Sequence, residues 1–194
     1  MTDLIDQLAG VERNAPLAAL RDRRADAKLN AQKSYEALFE PKSTGGVSLE
    51  ERHAVAVFVA GLHRDAAALA FYRGGLGDSD GVAAAIDEEI ERGAASGPYG
   101  HYPEGPLSAE DKAGPSFRVS PSNREKLGAR LAAAFEHAHL LVFHPRDASP
   151  AALEALRDAG WAPTDIVTLS QLVAFLTFQI RVVAGLRTLA NAPA

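Results

Sequence analysis

Three side chains in or beside one apolar stretch are of types that do polar chemistry: His53, Asp65 and Tyr72. Asp65 and Tyr72 are seven positions apart, so on a helix they share one stripe, with the mostly alanine run Ala66 to Ala70 beside them. A carboxylate and a phenol over an alanine-lined space can hold a polar small molecule. The plainer alternative is a solvated Arg64-Asp65 turn, with Tyr72 at the edge of a core. His53 and Asp65 lie about 18 Å apart along a continuous helix, so they form no dyad unless the chain bends or a neighbouring subunit contributes. His101 sits between Tyr99 and Tyr102 in a segment rich in Gly and Pro. Imidazole ordinarily titrates near neutrality, which makes His101 the natural general base if that segment closes over a pocket, and an incidental aromatic-flanked residue if it does not. Arg181 stands among Phe178, Ile180, Val182 and Val183. A guanidinium in apolar surroundings has to meet a carboxylate, carbonyls or a ligand anion, and a structural ion pair, across a subunit boundary for instance, is the first expectation.

Two Glu-x-x-His pairs, Glu50/His53 and Glu136/His139, with Glu36 and Glu89 on other helices, match the inventory of a di-iron carboxylate bundle. Their positions argue against it. Glu50 and His53 fall in the first turn of a helix, where acids serve the macrodipole, and Glu136 and His139 lie near the end of another. His137 and His139, two apart, face different ways and cannot chelate one ion, and with His144 they read as histidines stabilised at a helix C-terminus. No metal site and no cofactor are expected.

The chain has 194 residues, 47% of them hydrophobic and 23% charged, which is one domain's length with enough apolar surface for a core. A net charge of −5 and the lack of any Lys/Arg-rich run give no field for a phosphate backbone, so no nucleic-acid partner is expected. The absence of cysteine removes disulfides, thiolate nucleophiles and Cys-ligated metals together. Acids at Asp3 and Asp6, the lack of an apolar h-region, and apolar runs (54–62 and 172–178) too short for a bilayer lead to the expectation of a cytoplasmic protein without membrane attachment.

These residues must be positioned by helices, since helix punctuation recurs along nearly the whole chain. Asn14 and Pro16 start a helix that runs to about Phe39 and ends in 41–46. Ser48-Leu49-Glu50-Glu51 is a capping box opening a second helix that reaches about Tyr72. Between Ala54 and Leu62 it is apolar on every side, which demands burial all round and makes it central. Asp78-Ser79-Asp80 offers a cap for a helix over 82–92, with Gly93 as a left-handed stop and Asp87, Glu88, Glu89 and Glu91 as a solvated face. The Gly-, Pro-, Ser- and Tyr-rich segment 97–121 reads as a long loop, a lid or an interface arm. Helix resumes from Ser122 to Phe143, again over 151–159 with Gly160 as its stop, and finally from a Thr164-Asp165 cap to about Leu189. The chain thus divides into an N-terminal helical extension, 1–46, and a helical domain, 47–190, with a long loop at 94–121. Two helices needing cover on all sides are hard to bury in a monomer of this size, so a homo-oligomer is expected.

The segment Ser48-Leu49-Glu50-Glu51-Arg52-His53-Ala54-Val55-Ala56-Val57 and the closing run from Ala155-Leu156-Arg157-Asp158-Ala159-Gly160-Trp161 through Val173 to Leu186 resemble the alkylhydroperoxidase-D/carboxymuconolactone-decarboxylase superfamily. The resemblance covers 48–189 apart from the long loop. It implies an all-α, alkylhydroperoxidase-D-like bundle, single-domain and oligomeric (dimer, trimer or hexamer), with a pocket near the central helix. The redox members carry Glu, eleven residues, Cys-x-x-Cys, three residues and His. Those positions fall here on His53, Asp65, Ala68 and Tyr72, and all four depart from the pattern. Thiol peroxidase chemistry needs an attacking thiolate and a resolving thiol, and neither Asp65 nor Ala68 supplies one. The expectation is a small-molecule enzyme or binder without redox cysteines, with a candidate site of His53, Asp65, Tyr72 and His101 and with Arg181 as ligand-binding or ion-pairing. A catalytically silent partner protein and a metal-dependent bundle oxidase are the alternatives.

Overall fold

Ser48 opens the helix around which the protein is built: its Oγ accepts from Glu51 N at 3.1 Å and its own N–H donates to the Glu51 carboxylate at 2.9 Å. The computed structural model describes residues 3–77 and 81–192, about 71% of the chain being helical, with no strand among the described residues. The all-α expectation holds. The N-terminal helices are α1 (Leu4–Ala9), α2 (Ala15–Asp22) and α3 (Ala25–Phe39). Then come α4 (Leu49–Leu62), α5 (Ala66–Arg73), α6 (Val82–Arg92), α7 (Pro121–Phe143), α8 (Pro150–Asp158) and α9 (Pro163–Ala190).

Helix α4 is buried along its whole apolar run, enclosed by α3, α5, α6, α7 and α9 of the same chain. Phe58 in α4 stacks on Phe135 of α7 with centroids 4.4 Å apart and planes 4° from parallel. Burying a side chain of that size stabilises the fold by about 1.5–3 kcal/mol. One chain therefore covers α4 unaided, so its all-round apolarity does not by itself require a partner. Arg52, in the first half of α4, is buried too, and its guanidinium donates to the carbonyls of Val47, Leu38 and Thr44 at 3.1, 2.6 and 2.6 Å. This cation holds the loop from α3 to α4 together with Arg130 of α7, whose Nη2 donates to the Gly46 carbonyl at 2.7 Å.

Several expected boundaries are corrected. The helix from Ser48 does not reach Tyr72. It stops at Leu62, Arg64 takes the left-handed conformation (φ +56°), and Asp65 restarts the chain as the N-cap of α5, accepting from Ala68 N at 2.8 Å. The first helix is likewise broken at 23–24 into α2 and α3. Gly93 ends α6 with ordinary right-handed geometry (φ −82°). The expected cap Asp78-Ser79-Asp80 lies outside the described residues. Helix α7 is kinked at Gly128 (φ +77°, ψ +158°), a conformation open to glycine but not to a helix interior. Helix α9 starts at Pro163 with no side-chain cap, and Asp165 faces Arg130 across 3.6 Å instead.

A second small core, with Ile5, Val11, Leu17 and Ala31, docks α1–α3 on Val183 and Leu186 near the end of α9. By length and composition α9 could cross a membrane, and half of its most apolar stretch is buried inside the protein, as in a core helix. The remaining face carries the exposed Val167, Gln171, Ala174, Phe178 and Arg181, spaced alternately four and three. The long loop holds one short turn of 3-10 helix (Pro106–Glu110) and a single bridge between Gly100 and Lys112. It is tied to the end of α7: Tyr99 N donates to Phe143 O at 2.6 Å, and Arg146 lies 4.1 Å over the Tyr102 ring.

Candidate functional site

The break at 63–65 folds α5 back on α4 and brings His53 and Tyr72 together, their ring centroids 6.4 Å apart. His53 Nδ1 donates to the Tyr72 carbonyl at 3.2 Å, and burial lowers the imidazole's pKa, so the ring is neutral near pH 7. The Tyr72 hydroxyl donates to Gln179 Oε1 of α9 at 2.5 Å and is fully buried. Burial, reinforced by the neighbouring Tyr35, pushes the phenol's pKa up, so Tyr72 stays protonated. Asp65 lies at the opposite end of α5 from Tyr72. One of its oxygens caps α5, and the other accepts from Arg187 Nη1 at 2.8 Å. The structure thus pairs His53 with Tyr72 and separates Asp65 from both. None of the three lines any of the clefts described below.

His101 is elsewhere again, exposed on the long loop, with its Nδ1 3.6 Å from Asp147. Asp147 also accepts from His144 Nδ1 at 3.0 Å, a bond that, with help from His101, holds its carboxyl below the usual range. His139 is buried, donates to the Gly93 carbonyl at 3.1 Å, and is pushed down to about 4 chiefly by burial. Arg181 is exposed and has no carboxylate partner within this chain among the described residues.

The expected solvated face of α6 is corrected at Glu89, whose side chain is 0% exposed. Its carboxylate accepts from Ser120 N (3.1 Å), Ser120 Oγ (2.7 Å), Asn123 Nδ2 (2.8 Å) and Arg92 Nε (3.2 Å), at the N-terminus of α7. Burial alone would raise its pKa, but these donors outweigh it and hold it low. Among the described residues no group of three or more His, Asp or Glu side chains is placed to hold a metal ion.

A cleft of about 620 Å³ lies between α7 and α8. Alanines from both helices (Ala129, Ala133, Ala151, Ala152, Ala155) leave this space, with Leu140 and Leu156 as apolar walls. Its polar groups converge from α7 and the segment before it, with Ser149 and Asp158 added from the two ends of α8. Glu136 accepts from Arg118 Nη1 at 3.0 Å and Val119 N at 3.1 Å, and also bonds Arg124. His137 is 6% exposed; its Nε2 is 3.0 Å from Ser170 Oγ, and its Nδ1 is buried without a hydrogen-bond partner. Burial lowers its pKa, so a neutral imidazole lines the cleft. A buried polar atom with no partner costs about 1–3 kcal/mol, and because Nδ1 is closed off from solvent a ligand atom would relieve that cost only once the ring turns or a neighbour moves. The expected reading of His137, a histidine satisfied by a helix terminus, missed this. The signal in the sequence was the run of small residues on both helices, which leaves room where they face each other.

Comparison with family models, curated proteins and solved structures finds no match to this chain.

Proposed function

We propose that this chain is a small-molecule-binding protein that works without thiols and takes its ligand in the cleft between α7 and α8. The observation that carries the reading is the partnerless Nδ1 of the nine-tenths buried His137 on the cleft wall. The cleft's volume suits a ligand of ordinary metabolite size, and an apolar lining with a few convergent polar groups is the usual composition of such sites. The charges of Arg118 and Arg124 are balanced by those of Glu136 and Asp158 in the lining, so the cleft favours a largely apolar ligand with one polar atom that meets His137.

Descent from the alkylhydroperoxidase-D-like superfamily remains part of this reading. It is supported by the outer two of the four signature positions, His53 and Tyr72, which meet across the bend, whereas Asp65 and Ala68 open α5 at its other end. The closed packing around Tyr72 is why the ligand is assigned to α7 and α8 rather than to that bend.

A fragment screen by NMR on labelled protein tests the assignment. Apolar heteroaromatic fragments should shift the His137 ring resonances, and Ala155→Phe, which fills the cleft from an exposed position, should abolish the effect. Hits that leave His137 unmoved, or that bind Ala155→Phe equally well, overturn it.

A further inference from the structure

A second cleft, about 290 Å³, opens where the turn after α4, the segment 95–98 and the outer face of α9 meet. Two arginines line it, Arg64 from the turn and Arg181 from α9, and His63 lies beside them. No acidic residue lines it among the described residues, and neither arginine has an ion-pair partner there. The nearest carboxylate in sequence, Asp65, is already committed to Arg187 at 2.8 Å and to the amide of Ala68. In a chain of net charge −5, two guanidiniums sharing one acid-free concavity leave a local deficit of negative charge. Arg64 holds a left-handed backbone (φ +56°) that Gly or Asn would adopt more easily, so its side chain is kept at a conformational cost. The rest of the wall includes Leu62, Val142 and Phe143, which are apolar and buried.

We propose that this cleft binds a small carboxylic acid, its carboxylate held between Arg64 and Arg181 and its apolar body against Val142 and Phe143. Arginine's planar fork matches a carboxylate with two parallel bonds, and the apolar wall selects against a bare inorganic anion. Ser96 adds a hydroxyl at the rim. The site is separate from the cleft between α7 and α8 and shares no residue with it.

His63 provides the readout. Its Nε2 bonds Thr177 Oγ1 at 3.2 Å, and its pKa is lowered first by burial and then by the charge of Arg181, against an opposing pull from Asp65. A bound carboxylate offsets the arginine charge, so it should move the His63 titration upward. The experiment is an NMR titration of the full chain with benzoate, and with inorganic phosphate as the second arm. Expected are an upward His63 shift and saturable benzoate binding, weakened about tenfold or more by Arg181→Gln and by Arg64→Asn, with phosphate weaker than benzoate. Both variants alter exposed residues, and Asn tolerates the left-handed position, so thermal midpoints near wild type will show that they fold. Benzoate that leaves His63 unmoved, or affinity unchanged in both variants, overturns the site. Phosphate binding as tightly as benzoate overturns the assignment to a carboxylic acid.

Discussion

Replacing Glu89 by Gln tests whether one buried carboxylate fastens α6 to the start of α7. The wild-type oxygens accept four bonds, from Ser120 N, Ser120 Oγ, Asn123 Nδ2 and Arg92 Nε, with no exposure of the side chain. Gln retains one carbonyl oxygen for Ser120 and Asn123 but turns an amide N–H₂ toward a donor, either Arg92 or the amides, and loses the charge facing the helix N-terminus. Hydrogen bonds to an ionised group contribute about 1.5–3 kcal/mol each, and a charge at a partly buried helix terminus up to about 2 kcal/mol. Retained neutral bonds offset part of this, which leaves a loss of about 2–3 kcal/mol. For a chain of this size that lowers the thermal midpoint by roughly 4–12 °C. The pH dependence has a definite sign. Because the folded-state pKa is depressed, the ionised carboxylate contributes its full stabilisation above the unfolded value, near 4.3, and loses it as pH falls through the folded value. Calorimetry at pH 7 should therefore show a wide gap between wild type and Glu89→Gln, and the gap should narrow steadily below about pH 4. A midpoint within 1 °C of wild type, or a gap that does not change with acidification, refutes the reasoning.

Two further outcomes are expected. Tyr72→Phe strips from Gln179 Oε1 its one hydrogen bond among the described residues, where the neighbouring Nε2 already has no partner, and should cost about 1–3 kcal/mol; Tyr72→Phe with Gln179→Leu should recover stability in chemical denaturation, and a double variant no more stable than the single one contradicts the account. If copies of the chain associate through the exposed stripe Val167, Gln171, Ala174 and Phe178, then Phe178→Glu should reduce the light-scattering mass to that of one 20.5 kDa chain with helicity retained, whereas an unchanged mass excludes this face as the interface.

Features fixed by neighbours in sequence were legible, and features fixed by neighbours in space were not. The capping box of Ser48 and Glu51 and the all-round apolarity of α4 are local, and both are present as read. The turn at 63–65 contains no Gly or Pro, yet Asp65 stood three residues before Ala68 as an ordinary N-cap, so a local signal existed and was outweighed by the apolar run. Glu89 gave none: its acidic neighbours 87, 88 and 91 resemble a solvated face, and its donors Ser120 and Asn123 lie 31 and 34 positions away. The apolar residues flanking Arg181 in sequence point elsewhere on the helix; the four-and-three spacing back to Phe178 and Ala174 marks its face, which is exposed in this chain. Asp65 was expected to share a stripe with Tyr72, and to reach His53 only if the chain bent; the chain does bend, but it brings His53 to Tyr72, leaves Asp65 with Arg187, and closes packing over the pair instead of opening a pocket. The clefts lined by His137 and by Arg64 with Arg181 depend on distances between helices that the pattern of one strand of sequence does not encode. A search for function in this chain is therefore better directed by groups without partners among the described residues, His137 Nδ1 and the two arginines, than by a resemblance to a cysteine motif in a chain that has no cysteine.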